Sequence, residues 1–322
     1  MPAAANAVHR SVDAAAARIA IQQNIADVVT VPDSALEPLL CALVAGGHAL
    51  VEGVPGTGKT MLARALAESV HGTFRRIQFT NDLMPSDVVG TAVWRPDQGR
   101  FSFVKGPLFA NLVLADEINR TSPRTLSCLL EAMENGRVSI EGRTVELGQP
   151  FSVIATRNPI EFHGTYPLPE AALDRFLVCV ELGYPAPADE RALYSGRDSE
   201  TALQNCQPVI EAEDLIALRA AAAAVKVDEK LAGYVYDVVC ATREHCDIAL
   251  GASPRAALSW LAAAKARALL DGRDYLVPDD LKALALATLA HRVFLRGGND
   301  SGGAQAVHGT LQEILDAVHV PL

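Results

Sequence analysis

Residues 53 to 60 read Gly-Val-Pro-Gly-Thr-Gly-Lys-Thr, which sets Gly53, Gly58, Lys59 and Thr60 at the spacing G-x-x-x-x-G-K-[ST]. That spacing suits a phosphate chain. Backbone N–H groups of Gly53, Val54, Pro55's neighbours, Gly56, Thr57 and Gly58 would turn inward around the oxygens, with Met61 on the turn that follows. Lys59 would reach the β- and γ-phosphates, and Thr60 would set its hydroxyl on Mg²⁺. A second set follows at Leu112-Val113-Leu114-Ala115-Asp116-Glu117, an apolar run that ends in two acids. Asp116 would hold Mg²⁺, directly or through water, and Glu117 would polarise the water that attacks the γ-phosphate. A third candidate is Asn158, which ends the apolar run Phe151 to Thr156. Its amide would orient that water or touch the γ-phosphate; turn chemistry before Pro159 is the competing reading.

These groups need elements to carry them. Ala49 to Glu52 is an apolar strand, and Met61 to Ala67 is rich in helix formers, so the glycine loop joins a strand to a helix. The helix N-terminus then adds its positive end to the phosphate site. Leu112 to Asp116 reads as a buried parallel strand with its acids at the carboxyl end, where ligands bind in open α/β sheets. Phe74–Phe79 and Leu177–Leu182 are further strand candidates. Residues 81–90 read as a loop. Thr91–Trp94 with Arg100–Val104, and Arg137–Ile140 with Arg143–Leu147, read as two hairpins. Ser122-Pro123 opens a helix that Gly136 stops, and residues 168–176 form a short helix. Upstream, one helix is expected over about 7–26. Another runs to about residue 45, capped by Asp33 or Ser34 with Pro38 in its first turn.

Near residue 184 the strand pattern stops and Pro185 and Pro187 appear, which divides the chain into 1–184 and 185–322. The second part is helical, over about 188–195, 211–226, 228–244, 254–270, 279–290 and 308–318. Ser253 and Pro254 open the fourth of these helices. Residues 1–6 are expected to be disordered and 296–304 mobile.

Half of the 322 residues are hydrophobic, which allows a sizeable core, and the net charge of −10 argues against broad duplex-DNA binding. The six cysteines form no Cys-x₂-Cys pair, and Cys240, His245 and Cys246 have neither zinc-finger nor redox spacing. Buried free thiols in a reducing cytoplasm are expected. The N-terminus has no signal-peptide pattern, and no apolar run is long enough for a membrane span.

In this order the motifs resemble the MoxR family of AAA+ ATPases over residues 8 to 322. They are the phosphate loop, Gln78-Phe79-Thr80 with Pro85-Ser86-Asp87, Ala115-Asp116-Glu117-Ile118-Asn119-Arg120, Leu129 to Met133, Thr156-Arg157-Asn158-Pro159, Leu168 to Phe176, and Gly251-Ala252-Ser253-Pro254-Arg255. The resemblance implies an α/β fold in which a P-loop AAA+ parallel sheet flanked by helices, with the two hairpins as inserts, precedes a smaller all-α lid domain. It implies ATP and Mg²⁺ as cofactors, with Asn158 as the polar sensor of the γ-phosphate. Arg175 becomes an arginine finger reaching the ATP of a neighbouring subunit, and Arg255 contacts phosphate in its own subunit. From the residues alone, both arginines read as ordinary surface side chains. A finger in trans makes activity depend on assembly, so a homo-oligomeric ring, a hexamer, follows. Two departures stand out. Arg157 replaces the family's usual Gln, adding either a charge near the nucleotide or an interface contact. Val31-Pro32 replaces the Gly-Gln expected near the adenine.

The resemblance implies a chaperone-like machine that remodels proteins or assists metal insertion, with a partner carrying a von Willebrand factor A-like domain. The alternatives are a nucleic-acid motor and the ATPase subunit of a metal chelatase. The first is disfavoured by the acidic charge, although Arg137 and Arg143 lie on a hairpin.

Overall fold

Five strands carry the site: β1 (Ala49–Gly53), β2 (Phe74–Gln78), β3 (Leu112–Asp116), β4 (Ser152–Arg157) and β5 (Val178–Leu182). They form one sheet in the order β5-β1-β4-β3-β2, every pair parallel. The computed structural model describes residues 12–140, 142–159, 164–194, 198–297 and 303–321. The expected disorder at 1–6 lies outside these residues, as do residues 298–302 of the Gly-rich stretch.

A parallel sheet needs cover on both faces, and the sequence supplies it. β3 is buried along its whole length. Side chains alternate across β1, so Val51 packs with Leu62, Leu66 and Leu39 on one face. Leu50 packs with Leu129, Met133 and Phe176 on the other. β2 is an edge strand, and it exposes Arg75, Arg76 and Gln78, which keeps the sheet from extending further. Because all five strands run the same way, Gly53, Asp116 and Arg157 end at one edge of the sheet.

The first core continues without a break into the C-terminal helices Pro254–Leu270, Pro278–Leu289 and Gly303–Ala317 through Trp260, Leu284 and Leu311. Trp260 is fully buried and donates Nε1–H to the Leu281 carbonyl at 2.7 Å. Helices Ala14–Val28 and Asp33–Val44 join the same core. The second of them is tied to the C-terminal helices by Arg267, which bonds Glu37 at 3.1 Å and the buried Asp280 at 2.6 Å.

Several expectations are corrected. Pro32, not Asp33 or Ser34, occupies the N-cap of the second helix, and no side chain caps it; Pro38 lies in the second turn. A five-residue helix, Pro85–Val89, forms inside the expected loop at 81–90, started by Pro85. Only Glu170–Leu173 is helical within 168–176. An additional helix, Ser199–Asn205, is capped by Asp198, whose carboxylate accepts the Glu200 and Thr201 N–H groups. The cysteines are all free, but of the six only Cys41 is buried. Cys246 is exposed because it sits in the turn after helix Glu229–Glu244, beyond that helix's apolar stripe. No helix among the described residues is long and apolar enough to cross a membrane.

Candidate active site

The phosphate loop leaves β1 at Gly53 and enters helix Lys59–Glu68 through Gly58. Gly58 is the N-cap in a left-handed conformation, φ 86°, which L-residues with side chains rarely adopt. No side chain caps this helix, so its first N–H groups are left for a ligand. Thr57 closes the loop by donating its hydroxyl to the Val54 carbonyl at 3.0 Å. The Lys59 amine rests on the loop, donating to the Gly53 and Val54 carbonyls at 2.6 and 2.8 Å.

Beside the loop is a cavity of about 410 Å³. Pro55, Gly56, Gly58, Lys59, Thr60 and Met61 line one side, and Asp116, Glu117 and Asn158 line the other. The Thr60 hydroxyl lies 3.3 Å from Asp116 Oδ2, bringing together two residues 56 positions apart. Asn158 is buried at the end of β4, and its carbonyl accepts from Asn119 at 3.3 Å.

Four residues here had no assigned role in the sequence. Thr156, fully buried on β4, donates its hydroxyl to Asp116 Oδ1 at 2.5 Å and accepts the Glu117 N–H at 2.9 Å. It therefore fixes both acids from the neighbouring strand. Glu117 is the positive-φ non-glycine among the described residues, at φ 58°. Such a backbone stores strain, which collects at functional sites. Its carboxylate is held by Gln78 at 2.8 Å and Arg120 at 3.1 Å. Arg76, two residues before Gln78 on the same face of β2, lays Nε and Nη2 on Asp116 Oδ2 at 3.1 and 2.6 Å. The alternation Arg76-Ile77-Gln78 was the available signal, but only the β2–β3 register, Gln78 beside Asp116, shows what that face meets.

Arg175 and Arg255 lie elsewhere. Arg175 donates Nε and Nη2 to Glu134 Oε2 at 3.1 and 2.7 Å, and Nη1 to the Ala171 carbonyl at 2.5 Å. Arg255 donates Nη2 to Glu134 Oε1 at 2.6 Å. Their hydrogen bonds, Arg255 first and then Arg175, hold the Glu134 carboxyl below its usual range. This cluster sits near the starting edge of the sheet. Met133, beside Glu134, accepts Nε2–H of His48 at 2.9 Å, and His48 immediately precedes β1. The Val153 N–H occupies His48 Nδ1 at 3.0 Å, which leaves Nε2 to carry the ring proton. The phosphate loop leaves from the other end of β1, five residues away, or roughly 16 Å at the usual strand rise. Arg255 thus lies toward the opposite end of β1 from its own phosphate loop: its helix starts beside Arg175, held there by the Ser253 hydroxyl on Asp174 at 3.3 Å.

Arg157 points away from the phosphate cavity and pairs with Glu52 at 2.5 Å, its neighbour in the β1–β4 register. It lines a separate cavity of about 520 Å³ against the C-terminal helices. Val31-Pro32 does not reach the base-sized pocket of about 190 Å³ beside Gly56–Gly58; Val28, Val29 and Thr30 line it. The first helix ends at Val28 and Val29 is extended, so the chain turns toward the loop two residues earlier than expected.

Residues 48–178 match the ATPase family associated with various cellular activities (AAA), and residues 240–314 match the AAA lid domain. The chain is 47% identical over 283 residues to YeaC, an uncharacterised protein of Bacillus subtilis (strain 168), with 88% of each chain covered. It is 44% identical to Chaperone MoxR1 of Mycobacterium tuberculosis, covering 83% of this chain and 73% of that one. It is 32% identical to Protein MoxR of Methylorubrum extorquens, covering 95% of each. A solved structure from Cytophaga hutchinsonii ATCC 33406, named a candidate ATPase, is similar at a TM-score of 0.83 and 34% identity over 96% of this chain and 97% of that one.

Proposed function

Because the chain belongs to the MoxR family of AAA+ ATPases and so hydrolyses ATP, we propose that it is a magnesium-dependent, ring-forming machine that remodels or matures partner proteins in a chaperone-like way. The observation that carries this reading is the single cavity onto which Lys59, Thr60, Asp116, Glu117 and Asn158 converge. Lys59 would exchange its loop carbonyls for the β- and γ-phosphate oxygens. Glu117, already aimed by Gln78 and Arg120, would orient the attacking water and accept its proton. Asn158 would hold the γ-phosphate or that water from the end of β4. The Thr60 hydroxyl and the Asp116 carboxylate are oxygen donors of the kind a hard cation takes. Magnesium bound there would neutralise charge on the phosphate oxygens.

Assembly follows from where the arginines sit. Arg175 and Arg255 are a strand length from their own phosphate loop, so a triphosphate they touch would belong to a second copy. A guanidinium supplied in trans typically contributes ~10³–10⁵ in rate. We assign the ring as a hexamer. Residues 1–184 would form the nucleotide-binding domain and 185–322 the lid, whose movement would be transmitted to a protein with a von Willebrand factor A-like domain. Six free cysteines suit a reducing cytoplasm.

The Glu117→Gln variant tests the reading. It should retain ATP and assemble as rings in light scattering, while phosphate release falls by about 10²-fold or more, the usual scale for loss of a general base. Turnover at the original rate would reject Glu117 in this role, and an ATP-loaded monomer would reject the ring.

A further inference from the structure

Glu134 stands apart from the phosphate cavity, yet it is where three separate elements converge. It lies in the last turn of helix Pro123–Asn135. Arg175 follows the short helix Glu170–Leu173, and Arg255 lies in the first turn of helix Pro254–Leu270. Both carboxylate oxygens are used: Oε2 takes two N–H groups of Arg175 and Oε1 takes one of Arg255. Two guanidinium groups held this close repel each other unless an anion lies between them. Exposed ion pairs add little to stability, so a gain in folding energy does not account for this arrangement.

We propose that Glu134 is a positioning residue that binds Arg175 and Arg255 into one two-arginine platform and presents it to the triphosphate held by a second copy of this chain. The inference rests on the proposed assembly and on hydrolysis between subunits. Two guanidiniums and one carboxylate leave the platform with one net positive charge, although the whole chain carries −10. The platform is also half open to solvent: the side chain of Arg255 is 47% exposed. Only Nη2 of Arg255 is bonded to protein among the described residues, so Nε and Nη1 remain for a phosphate oxygen. Arg175, by contrast, is fully tied on its inner side by Glu134 and Ala171. The backing is stiff. Met133 is fastened to His48 at the start of β1, and Asp174 is fastened to Arg292 at 3.3 Å and to Ser253 of the lid. Glu134 would thus make the core arginine and the lid arginine move as one body, so that a shift of the lid in one copy alters the charge felt by the nucleotide of the next.

Subunit mixing tests this. Acceptor subunits carry Arg175→Ala, which keeps their phosphate loop; donor subunits carry Lys59→Ala, which keeps their arginines. Each alone should be nearly inactive, and mixing should restore hydrolysis at interfaces where a donor faces an acceptor. If the parent pair restores nothing, hydrolysis between subunits is wrong, and the platform falls with it. If it does restore activity, Glu134→Ala is placed in one partner at a time. Placed in the donor it should lower the recovered kcat by roughly tenfold or more with little change in KM, the pattern of an interaction made mainly in the transition state. Placed in the acceptor it should leave the recovered rate within about twofold, since that copy's platform faces a subunit that cannot bind ATP. Glu134→Gln in the donor has one acceptor oxygen for two arginines and should fall between these values. Equal losses from both placements would reveal a merely structural role, and no loss in the donor would overturn the proposal; thermal unfolding of each variant shows whether it is folded.

Discussion

Replacing Thr156 with valine keeps the shape of a buried side chain and removes one hydroxyl. That hydroxyl donates to Asp116 Oδ1 at 2.5 Å and accepts the Glu117 N–H at 2.9 Å, and Thr156 is fully buried, so no water can replace it. A hydrogen bond to a charged group is worth ~1.5–3 kcal/mol and a neutral one ~1 kcal/mol, so Thr156→Val should cost about 2–4 kcal/mol of stability. It should also harm catalysis. Glu117 sits in a left-handed backbone whose N–H is pinned by Thr156, and release of strain there would move the carboxylate. A displacement on the order of 1 Å costs up to ~10²-fold, so kcat should fall about 10- to 100-fold. Thr156→Ser is the control. It keeps both hydrogen bonds and loses one methyl, at about 1 kcal/mol of stability with little change in turnover. Denaturant unfolding gives the stability change, and steady-state phosphate release gives the rate. The reasoning is refuted if valine is as stable as threonine to within ~0.5 kcal/mol and turns over normally, or if serine is damaged as much as valine.

Two other tests address neighbouring groups. Arg76 shares Asp116 with any bound cation, so Arg76→Gln should tighten magnesium binding by up to roughly fivefold, the scale of a half-exposed ion pair. Calorimetric magnesium titration of the ATP-loaded Glu117→Gln background would show this, and an unchanged or weaker affinity would rule out the competition. His48 is held neutral by burial, its pKa lowered from 6.5 to about 4. A histidine depressed in the folded state contributes its stability in full above pH 6.5 and loses it as pH falls toward 4. The unfolding free energy should therefore decline by on the order of 3 kcal/mol across that window from this residue. Much of that decline should be missing in His48→Gln, and parallel curves for the two proteins would dismiss His48 as its source.

Groups whose position depends on their own neighbours in the chain were legible from the order of residues. A glycine loop between a strand and a helix, and acids ending an apolar strand, carry their geometry locally. In a parallel sheet, strand ends gather at one edge, so the meeting of Lys59, Thr60, Asp116, Glu117 and Asn158 follows from the strand pattern alone. Ser253 with Pro254, and Ser122 with Pro123, likewise announced their helices by capping chemistry alone.

Register and docking emerged from the packing of the folded chain. Thr156 supports both acids because β4 lies beside β3, and Arg76 and Gln78 reach them because β2 lies on its other side. Nothing within β4 or β2 names the neighbouring strand. Arg255 could be placed on its helix from sequence, but its position against Arg175 depends on how the C-terminal helices dock on the core, through Ser253, Asp174 and Arg292. Glu134 was invisible for the same reason: a glutamate in the last turn of an amphipathic helix looks like any solvated charge until two distant arginines meet it. Local sequence sets backbone form within a few residues, whereas which side chains face one another across strands and between layers depends on packing the whole chain at once.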